Sequence, residues 1–394
     1  MAKLNSKYDT VIVGAGPVGI YTSLKLARAG LSALVIEEDA QIGKPRFCTG
    51  LISRESFEKF DLPKEAIEGE FTRAWVFSPL GSKVCLKSRN IQAYVTDRTK
   101  FDFGLYSRAK DAGVEFLLNC RCKGLKVHND CVEAAITRDG IDTTVKGEAA
   151  ILSTGIKYDL HRKLGFGIPG NFLDCSQVQL AGEAGGDIDI FVGNSIAPHS
   201  FAWVVPLGKK KLRVGISTRR GSPEFLKSFL KHLRLKDYVT LGRCFTDIMR
   251  RPIPLEPIKQ TYADRILIVG DAAGQVKPTT GGGIYFGLLC ADLAADTLAK
   301  AFKKGDLSRK YLSHYEMNWK KQIEFDLTMS IYLRKLIARF NDQQIEELVK
   351  FVSQESVQQL IEKYADFNHH GKFIKELIKL PPFWKSFYSI IASK

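Results

Sequence analysis

Residues 8–37, YDTVIVGAGPVGIYTSLKLARAGLSALVIE, decide the fold. Tyr8–Gly14 is rich in β-branched residues, the pattern of a buried parallel strand. Gly14, Gly16 and Gly19 follow at G-x-G-x-x-G spacing. Pro17 suits the first turn of a helix running to Ala29, and Gly30 suits its C-cap. Ala33–Glu37 is a second strand ending on an acid 23 residues after Gly14. Strand, glycine turn, helix, strand and terminal acid together make a dinucleotide-binding βαβ unit. Gly14 makes the turn, Gly16 admits a pyrophosphate, Gly19 lets helix and strand pack, and Glu37 accepts from a ribose hydroxyl.

Working outward, a second stretch meets this unit from far along the chain: Arg265–Gly287, RILIVGDAAGQVKPTTGGGIYFG. Arg265–Val269 reads as another parallel strand, with Gly270-Asp271 at its end, where open α/β sheets bind ligands. Gly281-Gly282-Gly283 then opens a helix from Ile284 to about Lys300. Its start offers unpaired N–H groups and a positive dipole end to an anion. Another G-x-G-x-x-G, at Gly165, Gly167 and Gly170, is a decoy. No strand precedes it, and Pro169 interrupts what should be a helix. One dinucleotide site is therefore expected, with no separate nicotinamide domain.

The 394 residues, 45% hydrophobic and 26% charged, suit a folded protein of two or three domains. No apolar run reaches the ~18 residues of a membrane span, and a strand at Tyr8 leaves no room for a signal peptide. A cytoplasmic protein is expected. Eight cysteines lack disulfide or zinc spacing, and no metal is expected. The net charge of +15 is spread along the chain without a nucleic-acid-reading motif, so no nucleic-acid partner is expected. An anionic membrane surface or phosphorylated substrate is the partner class left.

In the middle of the chain Cys48 lies in a turn-rich loop, Gln41–Gly50. Arg98 stands at the start of a helix reaching Ala112, well placed for a phosphate or ribose. Segments near 123–128, 132–137 and 143–146 form a small meander, and Ala149–Ser153 reads as a further parallel strand. Between about Tyr158 and Leu255 the period changes to two, at Phe172–Ala181, Ile188–Val192, Phe201–Pro206 and Leu212–Ser217. This marks an inserted antiparallel sheet. Lys209–Arg213 reads as its basic tip, within reach of an anionic head group. From Ser308 the chain is helical, with breaks near Asn341-Asp342 and Pro381-Pro382. His369-His370 reads as a solvated loop. Gly371–Lys394 carries five lysines against Glu376 alone, interleaved with aromatic residues, a composition suited to an anionic bilayer surface.

Taken in order, the βαβ fingerprint, Arg98, Ser153-Thr154-Gly155 and Gly270-Asp271-Ala272-Ala273-Gly274 resemble the FAD-dependent hydroxylase-like flavoproteins. More narrowly the chain resembles the geranylgeranyl reductase family, especially the archaeal enzymes that saturate digeranylgeranylglycerophospholipids. The narrower match rests on Pro45 with Cys48-Thr49-Gly50, Tyr94 to Asp102, Ser195-Ile196-Ala197-Pro198, Phe201 to Pro206 and Asp271 to Ile284. The resemblance implies an α/β fold: a Rossmann-like FAD-binding domain (1–70, 97–158, 258–305), an inserted antiparallel-sheet substrate domain (71–96, 159–257) and a C-terminal helical region (306–394). It implies that Gly14, Gly16, Gly19 and Glu37 hold the ADP half of FAD, with the Cys122 backbone near the adenine. Arg98 would contact the ADP-ribose side and Asp271 the ribitol and pyrophosphate. Gly283, Ile284, Cys48 and Gly50 would face the flavin ring, and Trp203 and Pro206 an isoprenoid tunnel. Cys48 is the candidate catalytic proton donor. A prenyl lipid is the implied substrate, with electrons from a ferredoxin-like protein or NAD(P)H. Two departures stand out: the Cys48-Thr49-Gly50 loop is one residue shorter than the family's, and Phe201 and Val205 replace a tyrosine and a phenylalanine. Two other activities fit the scaffold, an aromatic or quinone monooxygenase and a non-redox prenyl-lipid chaperone.

Overall fold

The computed structural model describes residues 7–44, 47–88, 90–208, 210–235, 240–244, 246–379 and 383–384. The first β-branched run forms the strand Tyr8–Val13, parallel on one side to Ala33–Ile36 and on the other to the end of Ile141–Leu152. Ile266–Ile268 joins beyond Ile141–Leu152, and Glu115–Leu117 beyond Ala33–Ile36, both parallel. The expected strands near 143–146 and 149–153 are one 12-residue strand. Its first half closes the antiparallel meander with Val132–Arg138 and Cys120–Val127, and its second half enters the parallel sheet. Gly147 marks the change: a Cβ there would lie 3.1 Å from the Val11 backbone nitrogen.

A second sheet runs in the order Thr240–Cys244, Phe172–Glu183, Lys211–Thr218, Phe201–Pro206, Ile188–Val192, Arg73–Phe77 and Lys83–Lys87, with Met249–Pro254 also paired to Phe172–Glu183. All pairings are antiparallel except Ile188–Val192 with Arg73–Phe77. A third sheet pairs Ala93–Thr96 with Leu51–Ser53 and Ile67–Phe71. Hydrogen bonding thus crosses the boundaries expected after residues 70 and 96.

The helices Pro17–Arg28, Arg98–Asp111 and Ile284–Lys304 cover one face of the parallel sheet, and their apolar residues form the largest core. The long helix Arg309–Ile337 contributes Leu312, Tyr315, Trp319, Ile323 and Leu327 to that same core. Its first half thus packs as part of that core. The Asn341 break is as expected, with a capping box that opens the helix Asp342–Val352. Pro381-Pro382 and residues 385–394 lie outside the described residues, as do Pro45 and Lys209. No helix among the described residues is long and apolar enough to cross a membrane.

Candidate active site

Each glycine of the first turn has its own reason to be there. A Cβ on Gly14 would lie 2.4 Å from the Ser153 carbonyl, and Gly14 has φ +105°. A Cβ on Gly19 would lie 2.1 Å from the Gly14 carbonyl and 2.4 Å from Ser153 Oγ. Both positions are closed by protein. Gly16 is the opposite: a Cβ there meets nothing within 4 Å, and Gly16 lines a cavity of about 830 Å³. That volume is ordinary for a small-molecule site.

Gly16 also starts the helix Pro17–Arg28 without a side-chain cap, and Gly283 starts Ile284–Lys304 without one. Both starts, with Asp271, Gly281, Gly282 and Ile284, line the same cavity. Residues more than 250 positions apart in sequence therefore close on one space. Two uncapped helix starts aimed into one cavity favour negative charge there. The open cradle at Gly16 and the paired helix starts fit the pyrophosphate and ring of a dinucleotide such as FAD.

Glu37 does something the spacing alone did not reveal. Its Oε2 accepts from the Ala15 N–H at 2.6 Å, inside the glycine turn, and its Oε1 accepts from the Asp39 N–H at 2.9 Å. Burial raises its pKa, and those two donors offset part of the rise. Glu37 thus fixes the turn with its carboxylate. The Cys120 N–H bonds the Glu37 carbonyl, which brings the strand of Cys122 alongside. Cys122 itself donates its thiol to the Gly124 carbonyl at 3.5 Å and does not line the cavity.

Cys48, Arg98 and Asp271 all line the cavity. Arg98 forms a bidentate pair with Asp102, at 2.8 and 3.0 Å, and also faces the Cys48 thiol. Burial works against its charge, but Asp102 outweighs burial and holds the guanidinium pKa above its ordinary value. Asp271 Oδ2 lies 3.7 Å from Arg251, and a Cβ on Gly283 would lie 2.7 Å from Asp271 Oδ1. The cysteine loop is held from below. Gln177 donates to the Cys48 carbonyl at 3.1 Å, Arg213 to the Thr49 carbonyl, and the Thr96 N–H to the Gly50 carbonyl. Gly50, at φ +77°, has Arg213 and the Thr96 carbonyl against its missing side chain, so its glycine serves the turn.

Two readings of charge need correction. Arg213 is 4% exposed and bonded to Thr49 and, through the amide oxygen, to Gln179, so it is unavailable to a head group. His369-His370 is no solvated loop. His369 Nδ1 lies 2.8 Å from Asp326 and its Nε2 3.2 Å from the Tyr285 hydroxyl, while His370 Nδ1 lies 2.7 Å from Thr279 Oγ1. Burial pushes the His370 pKa down to about 3. The helix they introduce, His370–Leu377, places Phe373, Ile374 and Leu377 on the cavity.

The far end of the cavity is apolar. Trp203 lines it beside Ile188, Ile190, Phe201 and Val76 of the second sheet, facing Leu336, Ile337, Phe351 and Val357 of the C-terminal helices. The Trp203 ring lies over Gly215, where a Cβ would stand 2.2 Å from it, and its indole N–H has no partner among the described residues. Pro206 ends the same strand and does not line the cavity. A smaller cavity of about 220 Å³ shares Val76, Leu86, Val192 and Val352 and prolongs the apolar end.

The family model described as "Lycopene cyclase protein" matches residues 9–353. Digeranylgeranylglycerophospholipid reductase 2 of Methanothermobacter thermautotrophicus is 31% identical over 364 residues, 87% of this chain and 91% of that protein. Digeranylgeranylglycerophospholipid reductase of Methanocaldococcus jannaschii is 30% identical over 99% of this chain and all of that protein. The chain belongs to the geranylgeranyl reductase family. Among solved structures, a geranylgeranyl bacteriochlorophyll reductase-like protein from Thermoplasma acidophilum shares the fold at a TM-score of 0.82. It is 23% identical, over 95% of this chain and 99% of that one.

Proposed function

We propose that the protein is an FAD-dependent reductase that saturates isolated double bonds of a prenyl lipid such as digeranylgeranylglycerophospholipid. The observation that carries this reading is the single cavity, glycine-turned and polar at one end and apolar at the other. In this reading Gly14, Gly16 and Gly19 shape the bed of the ADP half, Glu37 fixes the turn, and the strand of Cys122 flanks the adenine. Arg98 and Asp271 bound the polar end, and Gly283 and Ile284 meet the ring. The chemistry that a bound, reduced FAD would supply here is hydride transfer to one carbon of the double bond. Trp203 and the apolar wall hold the alkene and exclude water, with Pro206 closing the strand that carries the indole. Cys48, with Gly50 setting its loop, holds a proton at Sγ for the other carbon. Residues 1–70, 97–158 and 258–305 supply the nucleotide end, and 71–96 with 159–257 the sheet wall.

The electrons come from outside the chain, from a ferredoxin-like protein or NAD(P)H, and anaerobic reduction by each identifies the donor. The lipid substrate and the charge of +15 support contact with an anionic membrane surface from the cytoplasmic side. Proton-initiated cyclisation of a polyene is a second reading, favoured by the description of the matching family model.

The test is anaerobic incubation of the flavin-loaded protein with a reductant and the prenyl lipid, followed by mass analysis. Gain of two hydrogens per double bond supports the reductase. An unchanged mass with a new ring supports the cyclase, and hydroxylation in a parallel aerobic incubation a monooxygenase. Colourless wild-type protein that FAD cannot reconstitute overturns the reductase and the monooxygenase.

A further inference from the structure

Lys277 sits inside the glycine-rich loop that the cofactor reading uses, yet that reading gives it no role. It is 3% exposed and lines the cavity. Its ammonium donates to the Phe367 carbonyl and lies 4.5 Å from the Phe367 ring centroid. An ammonium has three N–H donors. Among the described residues this is the acceptor it finds, and no carboxylate comes within 4.0 Å of it. Asp366 on the C-terminal segment, Asp326 on the long helix and Glu55 on Arg54–Lys59 act on it from further away, and its charge acts in turn on His370. Burial pushes its pKa down to about 8, which leaves it largely protonated at neutral pH. A buried ammonium without an ion-pair partner is costly. Such a group belongs where a ligand completes it.

Gly282 is the second, independent observation. Its φ is not in the left-handed region, unlike that of Gly281 at +72°, so its own backbone does not call for glycine. A Cβ at 282 would stand 3.2 Å from Lys277 Cε and 3.7 Å from Nζ. Any side chain there would lie against the lysine head. The missing side chain keeps the ammonium open to whatever rests on the Gly281–Ile284 turn.

We propose that Lys277 is the counter-charge of the reduced cofactor, its ammonium donating to the anion that the flavin becomes when reduced against the triple-glycine turn. This rests on the FAD-reductase reading above. A lipid phosphate has the same acceptor chemistry, so the experiment separates the two sources. Wild-type, Lys277→Met, Lys277→Arg and Gly282→Ala proteins are loaded with FAD. Their midpoint potentials and the pH dependence of the reduced-flavin absorbance are then measured without lipid.

Lys277→Met is expected to lower the potential and to raise the pH at which the reduced flavin loses its proton by about one unit. Lys277→Arg restores both, and Gly282→Ala moves them in the same direction as Lys277→Met by less. A yellow Lys277→Met protein with wild-type potential and spectrum overturns the proposal. So does an unchanged potential with a raised KM for a prenyl phospholipid but not for the neutral prenyl alcohol, which would assign the ammonium to the head group. If Lys277→Met fails to fold, Gly282→Ala carries the test alone, and a wild-type potential there overturns the proposal. Wild-type protein that takes up no FAD overturns the reductase reading itself, an outcome distinct from all of these.

Discussion

The two ends of the cavity are built by different means. At the glycine-lined end, backbone does the work: glycines, uncapped helix starts and carbonyls placed by short segments of chain. At the apolar end, side chains do it. Ile190, Trp203, Ile337, Phe351 and Phe373 come from one sheet and three separate helices, and none is placed by its neighbours in sequence. A backbone site tolerates almost no change at its contact positions, whereas a side-chain wall can be reshaped residue by residue.

The sharpest way to break this comparison lies within the first glycine turn, where the largest effect is expected. Gly19→Ala pushes a Cβ into the Gly14 carbonyl and should cost roughly 2–3 kcal/mol of stability, with loss of FAD. Gly16→Val enters open space at φ −69° and should leave the melting temperature of the apoprotein unchanged. It should still weaken FAD about tenfold or more by filling the pyrophosphate cradle. Thermal melts of the apoproteins and flavin-fluorescence titrations decide. Equal melting losses in both variants would show that Gly16 is structural and that no open cradle exists.

The same contrast explains what the sequence could and could not reveal. The places of Gly14, Gly16 and Gly19 in a strand-to-helix turn, and of Asp271 at a strand end, were legible because a few neighbouring residues at fixed spacing set them. The strands Ile188–Val192 and Phe201–Pro206 were legible as short runs rich in β-branched and aromatic residues, although Ala202, Trp203, Val204 and Val205 are buried in succession, so both faces of the second are covered. His369 and His370 were misread because their partners, Asp326, Tyr285 and Thr279, lie 43 to 91 residues away, and no local pattern records such distances. Lys277 was hidden for a similar reason: a lysine in a glycine-rich loop reads as exposed until the C-terminal segment covers it. The helix Ser222–Leu235 was missed although a signal existed. Ser222-Pro223-Glu224 opens it, and Leu226, Phe229 and Leu233, at helical spacing, are buried.

At the apolar end a milder, selective effect is expected. Ile190→Trp adds bulk to a wall strand opposite Trp203 and should lower kcat/KM for a twenty-carbon prenyl chain about tenfold. FAD affinity should stay within twofold, and a ten-carbon chain should be reduced nearly as well as by wild type. Competition assays between the two chain lengths, beside a flavin titration, measure this. Parallel loss of flavin and substrate would mean that the two ends are not separable.

The smallest expected effect lies at the seam, where His369 ties the helix His370–Leu377 to Asp326 on Arg309–Ile337. The Asp326 hydrogen bond raises the His369 pKa, against the opposing effect of burial. Burial works to raise Asp326, but the bonds from His369 and the Gly371 N–H outweigh it and hold its pKa low. The signs then set a window. The histidine's contribution is complete below its unfolded value of about 6.5 and is lost as pH rises through the raised folded value. The aspartate's contribution is present above its unfolded value of about 3.9 and is lost as pH falls through the lowered one. Attachment of the tunnel-wall helix is therefore strongest between about pH 4 and 6.5 and loosens toward alkaline pH. Hydrogen exchange corrected for intrinsic rates should show residues 370–377 losing about 1 kcal/mol of protection, a fivefold change, between pH 6 and 8.5, while Tyr8–Val13 loses none. In His369→Gln that difference should vanish. If it persists, some other group fastens the wall to the body, and the seam is set by packing of Ile374 and Phe373 rather than by charge.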